Sequence, residues 1–168
     1  MSIRCPIVII LCLILVQAVS AQNVMTFNSG GVKFNHPSDA SIDDQSQQGL
    51  FNVINIESRN HDYISICVHR DSITVDQSLK SFKAQNEKVF TDLKAQNMKF
   101  KDINEPILST PAKGFLQTFS LNGKDFENKI LSTVYQGKVI TITRQSLKSR
   151  KAEAEVFFNQ VLSSLVIQ

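Results

Sequence analysis

Hydrophobic and polar residues alternate along several short stretches of the chain, which is the pattern of β-strands with one buried face. The first two stretches, MTFN and GVKFNH, flank the turn residues Ser29-Gly30-Gly31, and Pro37 ends the second stretch. After a polar segment, the alternation returns in Leu50 to Glu57 and in Tyr63 to His69, separated by residues 58–61. The first half of the chain therefore predicts two β-hairpins.

Two longer stretches repeat their apolar residues every three or four positions, as amphipathic helices do. The first begins near Asp76 and ends near Asn97; Asp76 is one candidate cap, and Thr74 with Gln77 forms an alternative capping box. Its apolar stripe, interrupted by Asn86, comprises Leu79, Phe82, Val89, Phe90 and Leu93. The second helix begins near Ser149, and its stripe comprises Ala154, Phe157, Phe158, Val161, Leu162 and Leu165.

Four more strands are predicted between the helices: Lys99–Ile103, Gly114–Leu121, Asp125–Tyr135 and Lys138–Arg144. The dipeptide Asn122-Gly123 is a strong hairpin signal, because both residues tolerate left-handed backbone angles. Hairpin connections predict antiparallel pairing, and the apolar stripes of the helices need a sheet to cover them. The predicted fold class is therefore α/β, an antiparallel β-sheet with packed α-helices, in one domain of residues 22–168.

The N-terminus has the composition of a secretory signal peptide. Arg4 precedes an apolar run from Ile7 to Val16, and small residues precede the expected cleavage site. The run is about a dozen residues long, short of the ~20 residues that span a bilayer. We assign residues 1–21 to the signal peptide, with cleavage between Ala21 and Gln22. The mature protein is then periplasmic or secreted and has no membrane span.

The charge of the chain argues against a nucleic-acid partner. The 168 residues include 18 Lys and Arg and 15 Asp and Glu, a net charge of +3. Binding to nucleic acid requires a clustered basic surface. The lysines between residues 80 and 101 instead alternate with Phe82, Phe90 and Phe100, which is typical of a solvated face opposite a core face. We therefore predict no nucleic-acid partner.

The strongest candidate chemistry lies in the stretch HDYISICVHR, residues 61–70. Its candidate site residues are His61, Tyr63, Cys67 and His69. Once the signal peptide is removed, Cys67 is the only cysteine, so it cannot form an intramolecular disulfide. The fold must then be held by packing.

Strand alternation places Cys67 and His69 on one face and Ile64, Ile66 and Val68 on the other, which predicts that the three branched residues form the core face. A cysteine nucleophile needs a base within reach and a third group that orients the base. No carboxylate shares the face of Cys67 within this segment. The pattern therefore favours a structural Cys67, a small hydrophobic residue covered by a helix or a loop.

Two further polar groups predict no catalytic or metal site. The first comprises His36, Asp39, Asp43 and Asp44, whose spacing fits neither an EF-hand loop nor a zinc pair and predicts a solvated loop. The second comprises Asp125, Glu127 and Lys129, which share one strand face and predict a solubilising edge strand. Nucleophile elbows, phosphate-binding loops and dinucleotide fingerprints are missing from the sequence. We predict no cofactor.

Five segments share a pattern of apolar positions and turns with a known family: VKFNHP, NVINIES, ITVDQSLKSF, GKVITITRQS and VFFNQVLSSLVI. The pattern resembles the PsbP-like fold family, which includes the extrinsic photosystem II protein, bacterial envelope proteins of the DcrB kind and a small nuclear Ran-binding protein. The resemblance implies an α/β/α sandwich and a non-catalytic accessory role in the cell envelope.

We therefore predict an exported, non-catalytic binding or accessory protein whose partner is an unidentified protein or small ligand of the envelope. One alternative is a thiol- or metal-assisted hydrolase that uses Cys67 and a histidine. Another is a chaperone-like protein that binds its partners at an exposed sheet edge. A cleft that joins Cys67 to a histidine would favour the hydrolase, and an apolar groove beside an unpaired edge would favour the chaperone.

Export can be tested directly by the intact mass of the protein recovered from its own cells. We expect a chain that begins at Gln22, because the apolar run is too short to anchor the protein and is followed by a cleavage site. Recovery of the full chain with Met1 to Ala21 in a membrane fraction would contradict this assignment.

Overall fold

The structure of the chain, a computed structural model, describes residues 23–46 and 51–168. The predicted signal peptide, its cleavage site at Ala21 and Gln22, and Leu50 as a strand residue lie outside these ranges. In chain order the elements are β1 (Val24–Ser29), β2 (Val32–Pro37), β3 (Ser41–Asp44), β4 (Phe51–Glu57), β5 (Tyr63–His69), α1 (Val75–Asp92), β6 (Gln96–Asn104), β7 (Lys113–Leu121), β8 (Lys124–Tyr135), β9 (Lys138–Leu147), a 3-10 turn (Lys148–Arg150), α2 (Lys151–Leu162) and β10 (Val166–Ile167).

Two antiparallel sheets form the centre of the described chain. The larger has seven strands in the order β3-β4-β5-β9-β8-β7-β6, and the smaller has the order β1-β2-β10. Every pairing is antiparallel, and most neighbouring strands of the large sheet are joined by hairpins, as at Asn122-Gly123, where both residues have positive φ. The predicted α/β class with an antiparallel sheet is confirmed.

The helices cover opposite faces of the seven-stranded sheet. Ser78 of α1 lies 2.7 Å from the hydroxyl of Thr141 on β9, whereas the carboxylate of Glu155 on α2 lies 3.3 Å from the guanidinium of Arg144 on the same strand. Thr141 and Arg144 are three positions apart, and on a strand an odd separation places side chains on opposite faces. The layers are therefore α1, the large sheet, and α2 with the small sheet.

The apolar core lies on the α2 side of the sheet. All six stripe residues predicted for this helix pack in the apolar core, and five of them are buried. They pack against branched and aromatic residues from the two sheets, among them Val32, Phe34, Ile54, Ile56, Ile64, Ile66, Val68, Leu131, Ile140, Ile142 and Ile167. The prediction for the second helix is confirmed.

The first helix begins at the predicted Thr74–Gln77 capping box but ends earlier than predicted. Thr74 is the N-cap and forms the capping box with Gln77, so the alternative cap Asp76 lies inside the first turn. The helix ends at Asp92 rather than near Asn97, because Lys94 takes a positive φ of 60° that stops the helical path. Two residues of the predicted stripe are also misplaced: Val89 and Leu93 are 44% and 53% exposed.

The buried face of α1 is more polar than its sequence pattern predicts. Its two buried residues are Ser78 and Phe90. Asn86, the polar residue on the predicted stripe, donates to the Phe82 carbonyl at 2.9 Å and accepts a long bond from Asn128 on β8 at 3.4 Å. Hydroxyl and amide side chains therefore form much of the layer between α1 and the sheet.

Strand β5 is buried on both faces, not on one. It pairs with β4 and β9 on its two sides, so it is an inner strand. The isoleucine face packs in the core as predicted, and the face that carries Cys67 and His69 lies under α1. The expectation that a helix or loop covers Cys67 is confirmed, since the residue is 4% exposed.

Three other predicted boundaries or environments are wrong. The polar segment after Pro37 contains the edge strand β3, so Asp43 and Asp44 lie on a strand instead of in a solvated loop. The strand predicted from Lys99 begins at Gln96, with a register shift between these residues. The strand with Asp125, Glu127 and Lys129 is no edge, since β8 pairs with β7 and β9.

The packing of α2 predicts the effect of removing one buried ring. Phe157→Ala should lower the free energy of unfolding by about 3–5 kcal/mol, because Phe157 is buried in the core. Val156→Ala is the matched control on the same helix; Val156 is 66% exposed, so its truncation should change stability by less than about 0.5 kcal/mol. Equal effects in denaturant melts would mean that α2 does not pack on the sheet.

Candidate functional site

The four sequence candidates separate into two pairs in the structure. His61 lies in the exposed β4–β5 turn with a φ of 63°, and its Nδ1 is 2.5 Å from a Glu57 carboxylate oxygen. Tyr63 is half-buried and donates its hydroxyl to Asn55 at 2.6 Å. Burial raises the pKa of Tyr63 above its ordinary value. Neither residue contacts the other pair, since Tyr63 and Cys67 are about 13 Å apart along the strand.

Cys67 and His69 form the second pair, between β5 and α1. The Cys67 Sγ lies 3.6 Å from Nε2 of His69, and the same nitrogen lies 3.1 Å from Oγ of Ser78. Asp71 approaches the other ring nitrogen at 4.0 Å, which is beyond hydrogen-bond range. Cys67, His69 and Asp71 follow one another in space as the thiol, base and carboxylate of a catalytic triad do. However, the Asp71 carboxylate does not orient the imidazole through a hydrogen bond.

Burial disfavours the charged form of both members of this pair. It raises the pKa of the Cys67 thiol to about 12, and the nearby Asp71 carboxylate adds to this rise. Burial lowers the pKa of His69, an effect that Asp71 partly opposes. Because the thiolate is the reactive form of cysteine, a thiol with this pKa is a poor nucleophile at physiological pH.

A chain of hydroxyl groups continues from His69 into the sheet. Ser78 contacts Thr141 at 2.7 Å, Thr141 donates to Ser132 at 3.1 Å, and Ser132 donates to the Ile140 carbonyl at 3.0 Å. Each hydroxyl has one proton, so Ser78 donates to Thr141 and accepts the Nε2 proton of His69. That assignment leaves His69 with no lone pair directed at Cys67. The network fixes α1 on the sheet and supplies no base.

The remaining sequence candidates do not assemble into a site. His36 is buried on β2, not in a solvated loop, and its Nδ1 lies 2.8 Å from the Pro37 carbonyl. The three charged residues on β8 each contact a different partner. Asp125 accepts a hydrogen bond from Ser120, Glu127 pairs with Lys151, and Lys129 pairs with Glu105. In residues 23–46 and 51–168, no cluster of three or more His, Cys, Asp or Glu is placed to hold a metal ion.

A cleft that the sequence did not predict lies on the other side of the sheet, beside α2. Its volume is about 480 Å³, and it is bounded by the sheet, by α2 with the residues after it, and by the segment 105–109. Its lining residues are Glu105, Pro106, Ile107, Leu108, Ser109, Leu131, Tyr135, Ile142, Arg144, Asn159, Leu162, Ser163 and Leu165. We call it the α2 cleft.

The floor of the α2 cleft belongs to the two central strands of the fold. Leu131 and Ile142 are directly opposite each other in the β8–β9 register, and both are buried. The next pair on the same face is Lys129 and Arg144, whose side chains are only 16% and 13% exposed. The floor of the cleft is therefore apolar. Arg144 lines one end of it, and Lys129 lies beside Arg144 and contacts Glu105, which also lines the cleft.

The segment 105–109 forms the outer wall of the cleft with an unusual backbone. A bridge between Ile107 and Thr110 encloses Leu108 and Ser109, which have φ values of 49° and 59°. Consecutive positive angles are typical of a turn that favours glycine or asparagine, so Leu108 and Ser109 are strained there. Backbone strain of this kind concentrates at functional sites.

Sequence reasoning missed this cleft because its residues come from four separate elements. The alternation in β8 indicates that Lys129 and Leu131 share a face, but only the strand register shows that Arg144 and Ile142 lie opposite them. The one local signal was Glu105-Pro106, which ends β6 and begins the irregular wall.

The buried thiol predicts slow chemistry and a loss of stability at alkaline pH. Because the folded pKa is raised, the unfolded chain releases the thiol proton first; the associated stability is complete below the ordinary value of 9.0 and falls as pH rises towards 12. Between about pH 8 and pH 10, wild type should lose ~1.4 kcal/mol relative to Cys67→Ser. We also expect slow reaction of the native thiol with a thiol reagent. Fast labelling with a depressed thiolate pKa would instead favour the hydrolase.

Comparison with known proteins gives a likeness in fold. No model of a protein family matches the chain, and no curated protein matches its sequence. The solution structure of the cyanobacterial PsbP protein CyanoP, from Synechocystis sp. PCC 6803, is 12% identical, covers 90% of this chain and 96% of its own, and has a TM-score of 0.55.

Two further structures are also similar. LpqN of Mycobacterium tuberculosis, which is involved in cell envelope biogenesis, is 14% identical, with coverage of 87% and 91% and a TM-score of 0.45. PA94 of Pseudomonas aeruginosa, a protein of unknown function, is 13% identical, with coverage of 87% and 98% and a TM-score of 0.41. The likeness to CyanoP confirms that the chain has the PsbP-like fold.

Proposed function

We propose that the chain is an exported, non-catalytic binding protein of the cell envelope, and that the α2 cleft is its binding surface. The observation that carries this proposal is the cleft itself. It is a concave space of about 480 Å³ whose floor, Leu131 and Ile142, consists of core residues held by paired strands. Ligand sites are typically concave spaces in which a few fixed polar groups orient the ligand.

The state of the Cys67 pair supports binding rather than thiol chemistry. Burial opposes the thiolate, the hydroxyl chain takes the Nε2 proton of His69, and Asp71 lies too far away for a hydrogen bond. Hydrogen-bonded buried polar groups of this kind commonly stabilise a unique packing arrangement. The arrangement has the features of a structural network that fixes α1.

Export and the extent of the domain are parts of the same proposal. The N-terminal sequence has a signal-peptide pattern up to Ala21, and residues 22–168 then form one mature domain that acts in the periplasm or outside the cell. Within the described residues, none of the helices combines the length and the apolar character needed to cross a bilayer.

Binding of a partner strand at a sheet edge is a weaker candidate. Strand β6 offers a nine-residue edge of the large sheet. However, Lys99 and Lys101 lie exposed on this strand, and its register shifts near its start. Lysines and irregularities are devices that protect an edge from strand addition. The geometry of β6 therefore favours an edge that remains unpaired.

The proposal can be tested by blocking the cleft in the mature protein. Asn159→Trp places a large ring on the exposed α2 wall of the cleft, and Ala152→Trp places the same ring on an exposed position of α2 that does not line it. Both variants and the wild type are recovered from the native envelope, and co-purifying molecules are identified by mass spectrometry. We expect a molecule that is retained by wild type and Ala152→Trp but lost from Asn159→Trp.

Two results would contradict the proposal. Equal retention by all three proteins would mean that binding occurs outside the cleft. Recovery of every protein without any bound molecule, from cells in which it is exported, would mean that the cleft has no stable native ligand. Thermal melts of both variants establish that the ring has not unfolded the chain.

A further inference from the structure

Two cations lie side by side at one end of the α2 cleft, where Arg144 lines the cleft and Lys129 contacts Glu105 of its wall. Lys129 and Arg144 are directly opposite in the antiparallel β8–β9 register, on the face that also carries Leu131 and Ile142. Like charges in directly opposite positions destabilise a sheet unless anions compensate them. The cost increases because both side chains are mostly shielded from water.

Two glutamates compensate these cations from outside the sheet. Glu105 lies 2.7 Å from Lys129 and 4.0 Å from Arg144, so a single carboxylate lies near both cations. Glu155 of α2 lies 3.3 Å from Arg144, which is also 5.4 Å from the ring of Phe158. Arg144 is therefore held by α2, whereas Lys129 depends on Glu105 alone among its ion pairs within the described chain.

The two glutamates differ from the cations in exposure. Glu105 is 43% exposed, against 16% for Lys129, so the anions lie at the mouth and the cations lie deeper. Glu105 also belongs to the strained outer wall rather than to a paired strand. Its carboxylate can leave the cations without breaking any sheet pairing.

We propose that the α2 cleft binds a single-chain amphiphile with an anionic head group, and that this head group replaces the Glu105 carboxylate between Lys129 and Arg144. The apolar chain then lies over Leu131 and Ile142 towards Tyr135. The distance from Lys129 to Tyr135 is six residues, about 20 Å along the strand. This inference rests on the proposed use of the cleft and names the class of its ligand.

The charge arrangement favours an anion over a neutral or cationic amphiphile. Displacement of Glu105 leaves two cations facing one exposed glutamate, an excess of positive charge that an anionic head group neutralises. A neutral head group would leave Lys129 unpaired in a partly desolvated site, which is costly. Charge-assisted hydrogen bonds to the new anion recover that cost.

Calorimetric titration with three amphiphiles of one chain length tests the inference. Decanoate and decyl phosphate carry anionic heads and represent fatty-acid and phospholipid sources, and decanol has the same chain without a charge. We expect at least one of the anions to bind about tenfold more tightly than decanol, a ratio typical of one charge-assisted hydrogen bond. Binding of the anions in the cleft is located by chemical-shift changes at the Leu131 and Ile142 methyl groups.

Substitution of Glu105 tests whether the head group displaces the Glu105 carboxylate or binds beside it. Glu105→Gln removes the competing carboxylate and should strengthen binding of the preferred anion several-fold, while decanol is unaffected. Lys129→Gln should lower the affinity for the anion by about tenfold and should have little effect on the affinity for decanol. Lys151→Gln is the matched control, because Lys151 pairs with Glu127, which does not line the cleft, whereas Lys129 pairs with Glu105, which does. Thermal melts confirm that each variant is folded.

The outcomes separate this inference from the proposed function. Equal affinity for decanol and both anions, or an unchanged or weaker anion affinity in Glu105→Gln, overturns the anionic ligand and leaves binding in the cleft intact. Failure of all three amphiphiles to bind also overturns the inference. The proposed function fails separately, if Asn159→Trp retains the same native molecules as the wild type.

Discussion

The β8–β9 ladder is the interaction on which the rest of the structure depends. It runs without interruption from the pair Phe126–Leu147 to the pair Tyr135–Lys138, in the middle of the large sheet. Because side chains on paired strands alternate between faces, this ladder assigns one set of residues to each layer. On one face it presents Leu131, Ile142 and the two cations to α2, and on the other it presents hydroxyl groups to α1.

The two faces differ in the forces that hold their helices. On the α2 side, branched and aromatic residues such as Phe157 are buried against the sheet, and the hydrophobic effect supplies the stability. On the α1 side, the contacts include the chain from His69 through Ser78 to Thr141, whose bonds add little net free energy but are costly to break. Cys67 is buried beside this chain, and burial raises the pKa of its thiol to about 12.

The architecture could be predicted from sequence, whereas the cleft could not. Period-two and period-3.6 patterns identify elements that bury one face, so α2 and the β7–β9 hairpins were predicted correctly. They fail where a surface is buried with polar residues, as at Ser78, or left exposed with apolar ones, as at Val89. The cleft depends on strand register and on a strained wall at Leu108, and neither leaves a periodic signal in the sequence.

A crystal structure of the mature protein purified from its native envelope tests the central claim most directly, since it locates a bound molecule without a choice of probe. The account predicts density for an elongated molecule over Leu131 and Ile142, with its polar end between Lys129 and Arg144 and the Glu105 carboxylate moved away. An empty cleft with Glu105 still paired to Lys129, or a molecule bound elsewhere, such as at Cys67, would contradict it.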